Sequence, residues 1–362
     1  MPHAGTTPLL AIKSKQGELE ALTRSAGVND HVRVMVELVG DFAPGGDNAK
    51  KVVAAGVEAA LAGKPLWIDT TWLTSDSPFG GSSHGVLEQL DRDIEGKIDE
   101  GLHDFHGPCL IPVLRARVDQ HELHPVHMLL EHQQRPVAIR AQRAAAAPDL
   151  AQEIERITTS LHLAPDDVHV LLDEGYAPEV HEHQVEALAH RIGELSGLEL
   201  GSITLLAGST PPKRDDYATH TRPRTEVLLH NAVQQYCDRE LAYGDYGVVH
   251  PVPNTGKGPK FPPNPYLHYT VPGATLSVAR KIPDRGRGAP PRGALARYFL
   301  RVAEELVSRR EFAGAGFSWG DRVLDSCRST PITPIGSSNK WIAVATSHHV
   351  MHLARRLDDV AA

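Results

Sequence analysis

Residues 34–69 run from Val34-Met35-Val36-Glu37 through a helix-like segment to Leu66-Trp67-Ile68-Asp69, and this unit of strand, helix and strand decides the fold. Each strand is a short apolar run that ends in one charged side chain. Continuous apolar runs of this length are typical of strands that are buried on both faces of a parallel sheet. The unit therefore predicts a parallel sheet covered by helices.

The same pattern recurs along most of the chain. Further runs lie at residues 9–13, 111–115, 137–140, 168–173 and 203–207, with a weaker eighth run at 243–250. Eight such strands alternating with helices predict a TIM-like α/β fold, one closed (β/α)8 barrel spanning residues 1–362. Two doubly wound domains would give the same alternation. One barrel is favoured because no GxGxxG motif follows the early strands and no linker interrupts the series before residue 250.

Helices are predicted between the strands by apolar residues at helical spacing, at 48–62, 84–103, 120–134, 149–161, 179–196 and 223–239. Residues 251–292, rich in Pro and Gly, are predicted to form a long insertion with a hairpin at 266–269 and 275–280. Such an excursion is typical of a lid or a binding loop, or of disorder. We expect residues 294–311 to form the eighth barrel helix and residues 312–362 to form a C-terminal cap.

The composition argues against several classes of protein. A formal net charge of −8 opposes broad binding to nucleic acid, which depends on many Lys and Arg side chains. Three cysteines without CxxC spacing predict neither a disulfide framework nor a structural zinc site. No run approaches about 18 consecutive apolar residues, and the first residues do not resemble a signal peptide. We therefore expect a cytoplasmic protein that does not enter a membrane.

The charged side chains at the strand ends are the candidate site. In a parallel barrel the carboxyl ends of the strands form the mouth, so these side chains are expected to share one pocket. The expected proton-transfer groups are Glu37, Asp69, Asp173, Asp245 and, just beyond the eighth strand, His250. The expected anion-binding groups are Lys13, Lys15, Arg115 and Arg140. Guanidinium groups suit phosphate and carboxylate, and a carboxylate among other carboxylates can hold a proton.

Other interpretations of these residues remain open. The strand-end charges could instead pair with one another as structural ion pairs. No cofactor is required by the sequence, but Asp69, Asp173 and Asp245 could hold Mg²⁺, which prefers oxygen ligands. Ser209 follows the seventh strand, where barrels often bind phosphate, and joins the expected substrate-binding residues.

Several short motifs are similar to those of a known family. They are Lys13-Ser14-Lys15-Gln16-Gly17-Glu18, Val36-Glu37-Leu38, Tyr243-Gly244-Asp245-Tyr246-Gly247 with His250-Pro251, Phe312-Ala313-Gly314, Trp319-Gly320-Asp321 and the stretch from Trp341 to His349. On these motifs, which span nearly the whole length, the chain resembles the beta protein family of T-even phages and bacteria. The resemblance implies a compact single-chain protein, in some cases encoded near defence or mobile genes, and implies no settled activity. Arg280 joins the expected substrate-binding residues because the family pattern has Arg-Gly there, although Lys281 replaces the Gly.

These expectations favour a barrel enzyme that acts on a small anionic substrate, phosphorylated or nucleotide-like, by acid/base hydrolysis or elimination. The alternative is a barrel without catalysis that recognises a ligand or a protein partner in phage and host conflict, with residues 254–292 as the contact surface. A nucleic-acid binder is a third interpretation, which the net charge opposes; its basic patch would be Arg285, Arg287, Arg292 and Arg297. An open pocket would favour the enzyme, and a pocket closed by bridges between arginine and carboxylates would favour the recognition barrel.

Overall fold

A computed structural model of the 362-residue chain provides the structure. It describes residues 7–25, 27, 31–40, 42–43, 45–73, 83–101, 103–147, 149–213, 217–254, 261–283, 288–291, 293–328 and 335–355. Among the described residues, no helix combines the length and the apolar character that crossing a bilayer requires.

Eight parallel strands close into a barrel. In order around the barrel they are β1 (Leu9–Lys13), β2 (Arg33–Val39), β3 (Leu66–Trp72), β4 (Leu110–Arg115), β5 (Val137–Gln142), β6 (Val168–Tyr176), β7 (Ser202–Gly208) and β9 (Ala242–Asp245). The strand β8 (Thr219–Pro223) lies outside the barrel. The barrel closes because β9 pairs with both β7 and β1. The predicted fold class, an α/β fold with a closed barrel of eight parallel strands, is confirmed.

Side chains along each strand alternate between the barrel interior and the surrounding helices. In β1, Leu10 and Ile12 belong to the outer core, whereas Leu9 and Ala11 belong to the interior cluster. The interior is filled by the apolar side chains of Leu9, Ala11, Met35, Trp67, Ile111, Val113, Ala138, Leu171 and Leu206, with Tyr246 just beyond β9. Because the interior is packed, polar chemistry is confined to the ends of the barrel.

Helices lie between the strands at the predicted places. They are α1 (Gln16–Thr23), α2 (Asp47–Leu61), α3 (Ser83–Glu100), α4 (Gln120–His132), α5 (Leu150–Ser160), α6 (Glu182–Glu194) and α7 (Thr225–Gln234). Their apolar stripes, with residues such as Val52, Leu90 and Ile154, are buried against the outward faces of the strands. Gly63, with a φ of +71°, lies just beyond the C-cap of α2, where the left-handed conformation favours glycine.

A second, three-stranded antiparallel sheet lies outside the barrel. The hairpin predicted in the insertion is present as β10 (Tyr266–Val271) and β11 (Ala274–Ala279). The third strand is β8, which comes from the connection between β7 and α7 and pairs with β11. This strand was not predicted because its sequence, Thr-His-Thr-Arg-Pro, is short, polar and largely exposed.

The C-terminal helices differ from expectation in their packing. They are α8 (Ala294–Val307), α9 (Trp319–Ser326) and α10 (Ser338–Ala354). The expectation that residues 294–311 form the eighth barrel helix is wrong, because α8 packs through Phe299 and Leu306 on the apolar face of the three-stranded sheet. Instead α10 packs against α1, and its Val350 and Leu353 enter the outer core of the barrel.

The boundaries drawn at 251–292 for a lid and at 312–362 for a cap stay predictions. Parts of both segments, 255–260, 284–287, 292, 329–334 and 356–362, lie outside the described residues. The basic patch considered for nucleic acid falls largely there too, since Arg285, Arg287 and Arg292 are among them.

Candidate functional site

The guanidinium group of Arg140 joins three carboxylates at the carboxyl ends of the barrel strands. Its Nη1 atom donates to Glu37 Oε1 at 2.9 Å and also to Asp69 Oδ2. Its Nε atom donates to Asp173 Oδ2 at 2.9 Å. Its Nη2 atom donates to the hydroxyl of Tyr246 at 2.6 Å. We call Arg140, Glu37, Asp69, Asp173, Tyr246 and the neighbouring Lys13 the mouth network.

Backbone groups hold two of these carboxylates in place. The N–H of Thr71 donates to Asp69 Oδ1 at 2.7 Å, and the N–H of Gly175 donates to Asp173 Oδ1 at 2.9 Å. Gly175 has a φ of +62° at an irregularity in the pairing of β6, a backbone conformation that favours glycine. Asp173 Oδ1 also accepts from the hydroxyl of Tyr246 at 2.7 Å. All four oxygens of Asp69 and Asp173 are therefore engaged.

Glu37 and Lys13 differ from the other members of the network. Glu37 Oε1 accepts from Arg140 and, at 3.0 Å, from the indole N–H of Trp72. Its other oxygen, Oε2, lies 3.4 Å from Lys13 Nζ. Both side chains are almost fully buried, yet neither of these two atoms makes a hydrogen bond with any residue that the structure describes. Glu37 Oε2 and Lys13 Nζ are thus the polar atoms of the described network that can still form a hydrogen bond.

The charge states in the network follow from burial and mutual attraction. Burial alone would lower the pKa of Arg140, but Asp173, Tyr246, Asp69 and Glu37 together raise the pKa well above its usual value. Burial, followed by the charge of Asp173, raises the pKa of Tyr246 well above its usual value. Arg140 is therefore a permanent cation, and the phenol of Tyr246 keeps its proton and acts as a donor.

The structure does not bring Asp245 into the mouth network. In the pairing of β9 with β1, Gly244 lies beside Leu9 and Asp245 beside Leu10. Leu9 faces the barrel interior and Leu10 faces the outer core, so the pleat directs Asp245 outward. The inward position at this end is taken by Tyr246, one residue later. We predicted that a charged residue at a strand end faces the mouth. That prediction fails for Asp245 because this residue occupies an outward-facing position of β9.

Asp245 instead has its own buried partners. Its Oδ2 atom accepts from Arg224 Nη2 at 2.6 Å and from the hydroxyl of Tyr243 at 2.8 Å. Its Oδ1 atom accepts from the N–H of Gly247 at 2.9 Å and lies 3.0 Å from His349 Nε2. Burial alone would raise the pKa of Asp245, but His349 and Arg224 outweigh it and hold the pKa far below its usual value.

Two successive histidines of α10 connect this cluster to the three-stranded sheet. His349 Nδ1 lies 2.8 Å from the hydroxyl of Thr270 on β10. His348 Nε2 lies 2.8 Å from the carbonyl oxygen of Thr270, and its Nδ1 lies 2.9 Å from Asp321 Oδ2. Because all these groups are buried, they fix α10, α9 and β10 against one another.

Arg115 and Arg140 lie side by side at the ends of β4 and β5. Arg115 is exposed there, unlike Arg140. Both line a cavity of about 400 Å³, which we call the rim cavity. Its other charged lining residues are Arg117, Arg143 and Glu153, and Leu150, the first residue of α5, also lines it. The rim cavity therefore gathers three further arginines next to Arg140 of the mouth network.

The remaining predicted residues have other surroundings. Lys15 lines a different cavity, of about 680 Å³, together with Lys50 and Lys51 of α2. Ser209 is buried directly after β7. His250 Nδ1 lies 2.9 Å from the carbonyl oxygen of Thr210, and the His250 ring packs edgewise on Tyr176.

Arg280 is not at the barrel mouth in the described structure. It lies directly after β11 and forms an ion pair with Glu305 of α8. Its Nη2 atom also donates to the hydroxyl of Thr219 at 3.2 Å. The insertion carries this arginine to the edge of the three-stranded sheet, so its contacts are those of a residue that joins the sheet to α8.

The side chains of Asp69, Asp173 and Asp245 do not come together as the predicted magnesium site. The oxygens of Asp69 and Asp173 are bonded to Arg140, to backbone N–H groups and to Tyr246, and Asp245 lies in another cluster. Among the described residues, no group of three His, Cys, Asp or Glu side chains is arranged to hold a metal ion. Mg²⁺ would have to displace Arg140 to use these ligands.

Tyr246, Trp72, Arg117 and Arg143 belong to the site or its rim but were not predicted. Tyr246 follows the eighth strand within a motif already noticed for its charge, but its inward position depends on the pairing of β9 with β1. Arg117 and Arg143 lie just past the ends of β4 and β5, beyond the apolar runs that directed attention to strand ends.

Comparison with known proteins identifies the family of the chain. The model of the family described as Beta protein matches residues 7–355. The chain belongs to the Beta protein family. No curated protein matches it. Among solved structures, this family member is similar to the crystal structure of a "putative fructose-1,6-biphosphate aldolase" from Coccidioides immitis, with 10% identity, 98% of this chain and 92% of that chain covered, and a TM-score of 0.40.

Proposed function

We propose that this Beta protein is an enzyme that acts on a small anionic substrate, phosphorylated or nucleotide-like, at the mouth of its barrel. The observation that carries the proposal is the rim cavity, in which Arg115, Arg117 and Arg143 are gathered with Arg140, whose guanidinium group binds the buried Glu37. Its volume of about 400 Å³ lies in the range of small-molecule sites.

The lining of the rim cavity favours an anion. Besides Arg140, three arginines, Arg115, Arg117 and Arg143, line the cavity with one carboxylate, Glu153, which itself pairs with Arg156 at 2.9 Å. Guanidinium groups bind phosphate and carboxylate through paired, charge-assisted hydrogen bonds. The first residue of α5 also lines the cavity, and the N-terminal end of a helix favours negative charge.

Glu37 and Lys13 are the proposed acid/base pair. Every oxygen of Asp69 and Asp173 is engaged, whereas Glu37 Oε2 and Lys13 Nζ have no hydrogen bond within the described residues. In a hydrolysis, Glu37 Oε2 takes a proton from water while the water oxygen bonds to the substrate centre. The leaving oxygen departs with the bonding electrons and receives a proton from Lys13. The proton on Glu37 then passes across the 3.4 Å to Lys13 and restores both groups.

Arg140 has a positioning role in this proposal. It holds Glu37 through Oε1, which directs Oε2 toward Lys13. Neither the predicted elimination nor the hydrolysis requires a cofactor in this scheme. That no cofactor is required stays a prediction. Turnover measured with and without a chelator tests it.

A second candidate, a barrel that binds an anionic ligand or a protein partner without turnover, is favoured by one observation. All three nitrogens of the Arg140 guanidinium already donate to groups of the protein, so the centre of the mouth is closed by bridges. In that case the mouth network would stabilise the barrel, and the rim cavity alone would contact the ligand.

Mass spectrometry of small molecules carried through purification tests the anion site. The wild type is compared with the double variant Arg115→Gln/Arg143→Gln and with the control Arg92→Gln, an exposed arginine of α3. We expect one anionic compound in the wild type and the control and its loss from the double variant. The proposal is contradicted if the folded double variant carries the same compound in the same amount.

A further inference from the structure

We infer that a second site, for a tetrahedral oxyanion of the phosphate type, lies in a small cavity of the three-stranded sheet. This cavity, which we call the sheet cavity, has a volume of about 140 Å³. Its polar lining residues are Lys213, His220, Arg222, His268 and Ser277, together with Tyr266. It shares no lining residue with the rim cavity, so the inference does not depend on the proposed enzyme.

The strand register places polar side chains from three strands in one row. His220 of β8 lies opposite Ser277 of β11, which lies opposite His268 of β10. Since side chains alternate along a strand, Arg222 shares the face of His220. The opposite face carries Leu267, Tyr269, Leu276 and Val278, which pack against α8 and α10. The sheet thus separates an apolar core from a polar face that is built from three strands.

Two of the polar side chains in this row are held in place. His268 is buried, and its Nδ1 atom lies 2.8 Å from the hydroxyl of Ser277. The ring of Tyr266 packs on the ring of His268, with the centroids 5.3 Å apart. A site whose groups are fixed before binding loses less conformational entropy when a ligand enters.

Arg222, which is half-buried, supplies one positive charge of the cavity. Its Nη2 atom donates to the hydroxyl of Thr210 at 2.9 Å. Its Nε atom is buried and makes no hydrogen bond within the described residues. Burial lowers the pKa of Arg222, while Glu226 and Tyr176 oppose this shift. A guanidinium with one buried donor that lacks a partner is stabilised when an oxyanion binds to that donor.

Size and charge select the ligand class. A water molecule takes up roughly 30 Å³ of liquid, so the cavity of about 140 Å³ has room for one small oxyanion and not for a nucleoside. Lys213 and Arg222 are positive, and no carboxylate is among the lining residues in the described part of the chain. The ligand is therefore free phosphate or the terminal phosphate group of a larger molecule that extends into solvent.

Isothermal titration calorimetry with inorganic phosphate and with glucose 6-phosphate tests this inference. The proteins are the wild type, Lys213→Met, Arg222→Gln and the control Lys281→Met. Lys281 is an exposed lysine that follows β11 and does not line the cavity. Lys213 is exposed too, so its replacement does not threaten folding.

We expect phosphate binding to weaken about tenfold in Arg222→Gln and several-fold in Lys213→Met, because each removes one charge-assisted contact. Binding should be unchanged in Lys281→Met. If Arg222→Gln and Lys213→Met lose affinity equally for inorganic phosphate and for glucose 6-phosphate, the natural ligand carries a terminal phosphate group. If they lose affinity for inorganic phosphate alone, the natural ligand is a free anion. The inference is overturned if the wild type binds neither probe up to about 10 mM. Unchanged binding in folded Lys213→Met also overturns it, even if Arg222→Gln fails to fold.

Discussion

Arg140 on β5 and Glu37 on β2 are 103 positions apart in the chain and meet inside the barrel mouth, where Arg140 Nη1 lies 2.9 Å from Glu37 Oε1. The arginine side chain thus extends across the mouth instead of toward solvent. It brings together carboxylates from β2, β3 and β6. This contact positions the only side-chain pair of the described network, Glu37 and Lys13, that retains unused hydrogen-bonding capacity.

Replacing Arg140 by methionine is expected to destabilise the protein strongly. Arg140→Met leaves three carboxylates buried together without their cation, and breaking a buried ion pair from one side costs about 3–5 kcal/mol. Urea unfolding followed by circular dichroism measures the loss. The control Arg92→Met removes an exposed arginine and should change stability by about 0.5 kcal/mol or less. Equal changes in the two variants would mean that the network does not stabilise the barrel.

Replacing Tyr246 by phenylalanine is expected to cost less. Its hydroxyl accepts from Arg140 at 2.6 Å and donates to Asp173 at 2.7 Å, but these two residues also contact each other directly. Losing the hydroxyl from a buried site should cost about 1–3 kcal/mol. The free energy of unfolding is compared with that of Tyr236→Phe, an exposed tyrosine. A Tyr246→Phe protein as stable as this control would contradict the assignment.

His169 is expected to make the protein less stable in mild acid. Burial, with a smaller contribution from Arg33, lowers the pKa of His169 to about 4 in the folded protein. The unfolded chain has a histidine pKa of about 6.5. As the pH falls from about 6.5 to about 4, the unfolded chain binds a proton here and the folded protein does not. The stability that this histidine contributes above about pH 6.5 is therefore lost across that window.

The matched variants for this prediction are His169→Gln, which can still bond to Ser202, and His190→Gln on the exposed face of α6. The loss of unfolding free energy between pH 7 and pH 4.5 should be smaller in His169→Gln than in the wild type. An unchanged pH dependence in His169→Gln would show that the acid sensitivity arises elsewhere.

Replacing Glu37 by glutamine separates the enzyme from the recognition barrel. Glu37→Gln keeps an acceptor for the indole N–H of Trp72 but removes the proposed base. If the protein is an enzyme, turnover of the compound carried through purification should fall about 10²–10⁴-fold while the compound remains bound. Turnover that persists in Glu37→Gln would exclude Glu37 as the base. A compound that the wild type binds without turnover would support the recognition barrel.

The fold and half of the site could be predicted from the sequence because strand ends obey simple rules. Apolar runs located the eight strands, and their terminal charges Lys13, Glu37, Asp69, Arg140 and Asp173 do meet. Asp245 does not join them, because it lies one residue away from an inward-facing position of β9 and so faces outward. That orientation depends on the pairing with β1, which no local pattern reveals.

The parts that escaped prediction depend on contacts between distant segments. The helical pattern of residues 294–311 shows an apolar face but not the surface that it covers, and α8 covers a sheet instead of the barrel. The strand β8 has no apolar run of its own. It forms because its backbone pairs with the open edge of β11. Arg143 and Arg117 join the site through loops, where sequence patterns are weakest.

The position of a bound oxyanion tests the central claim most directly. Crystals of the wild-type protein soaked in selenate would show selenium by its anomalous scattering. We predict a peak in the rim cavity, within hydrogen-bond distance of Arg115 or Arg143. Crystals in which the rim cavity is open to solvent and shows no peak, while selenate binds elsewhere, would contradict the claim that the barrel mouth binds an anion.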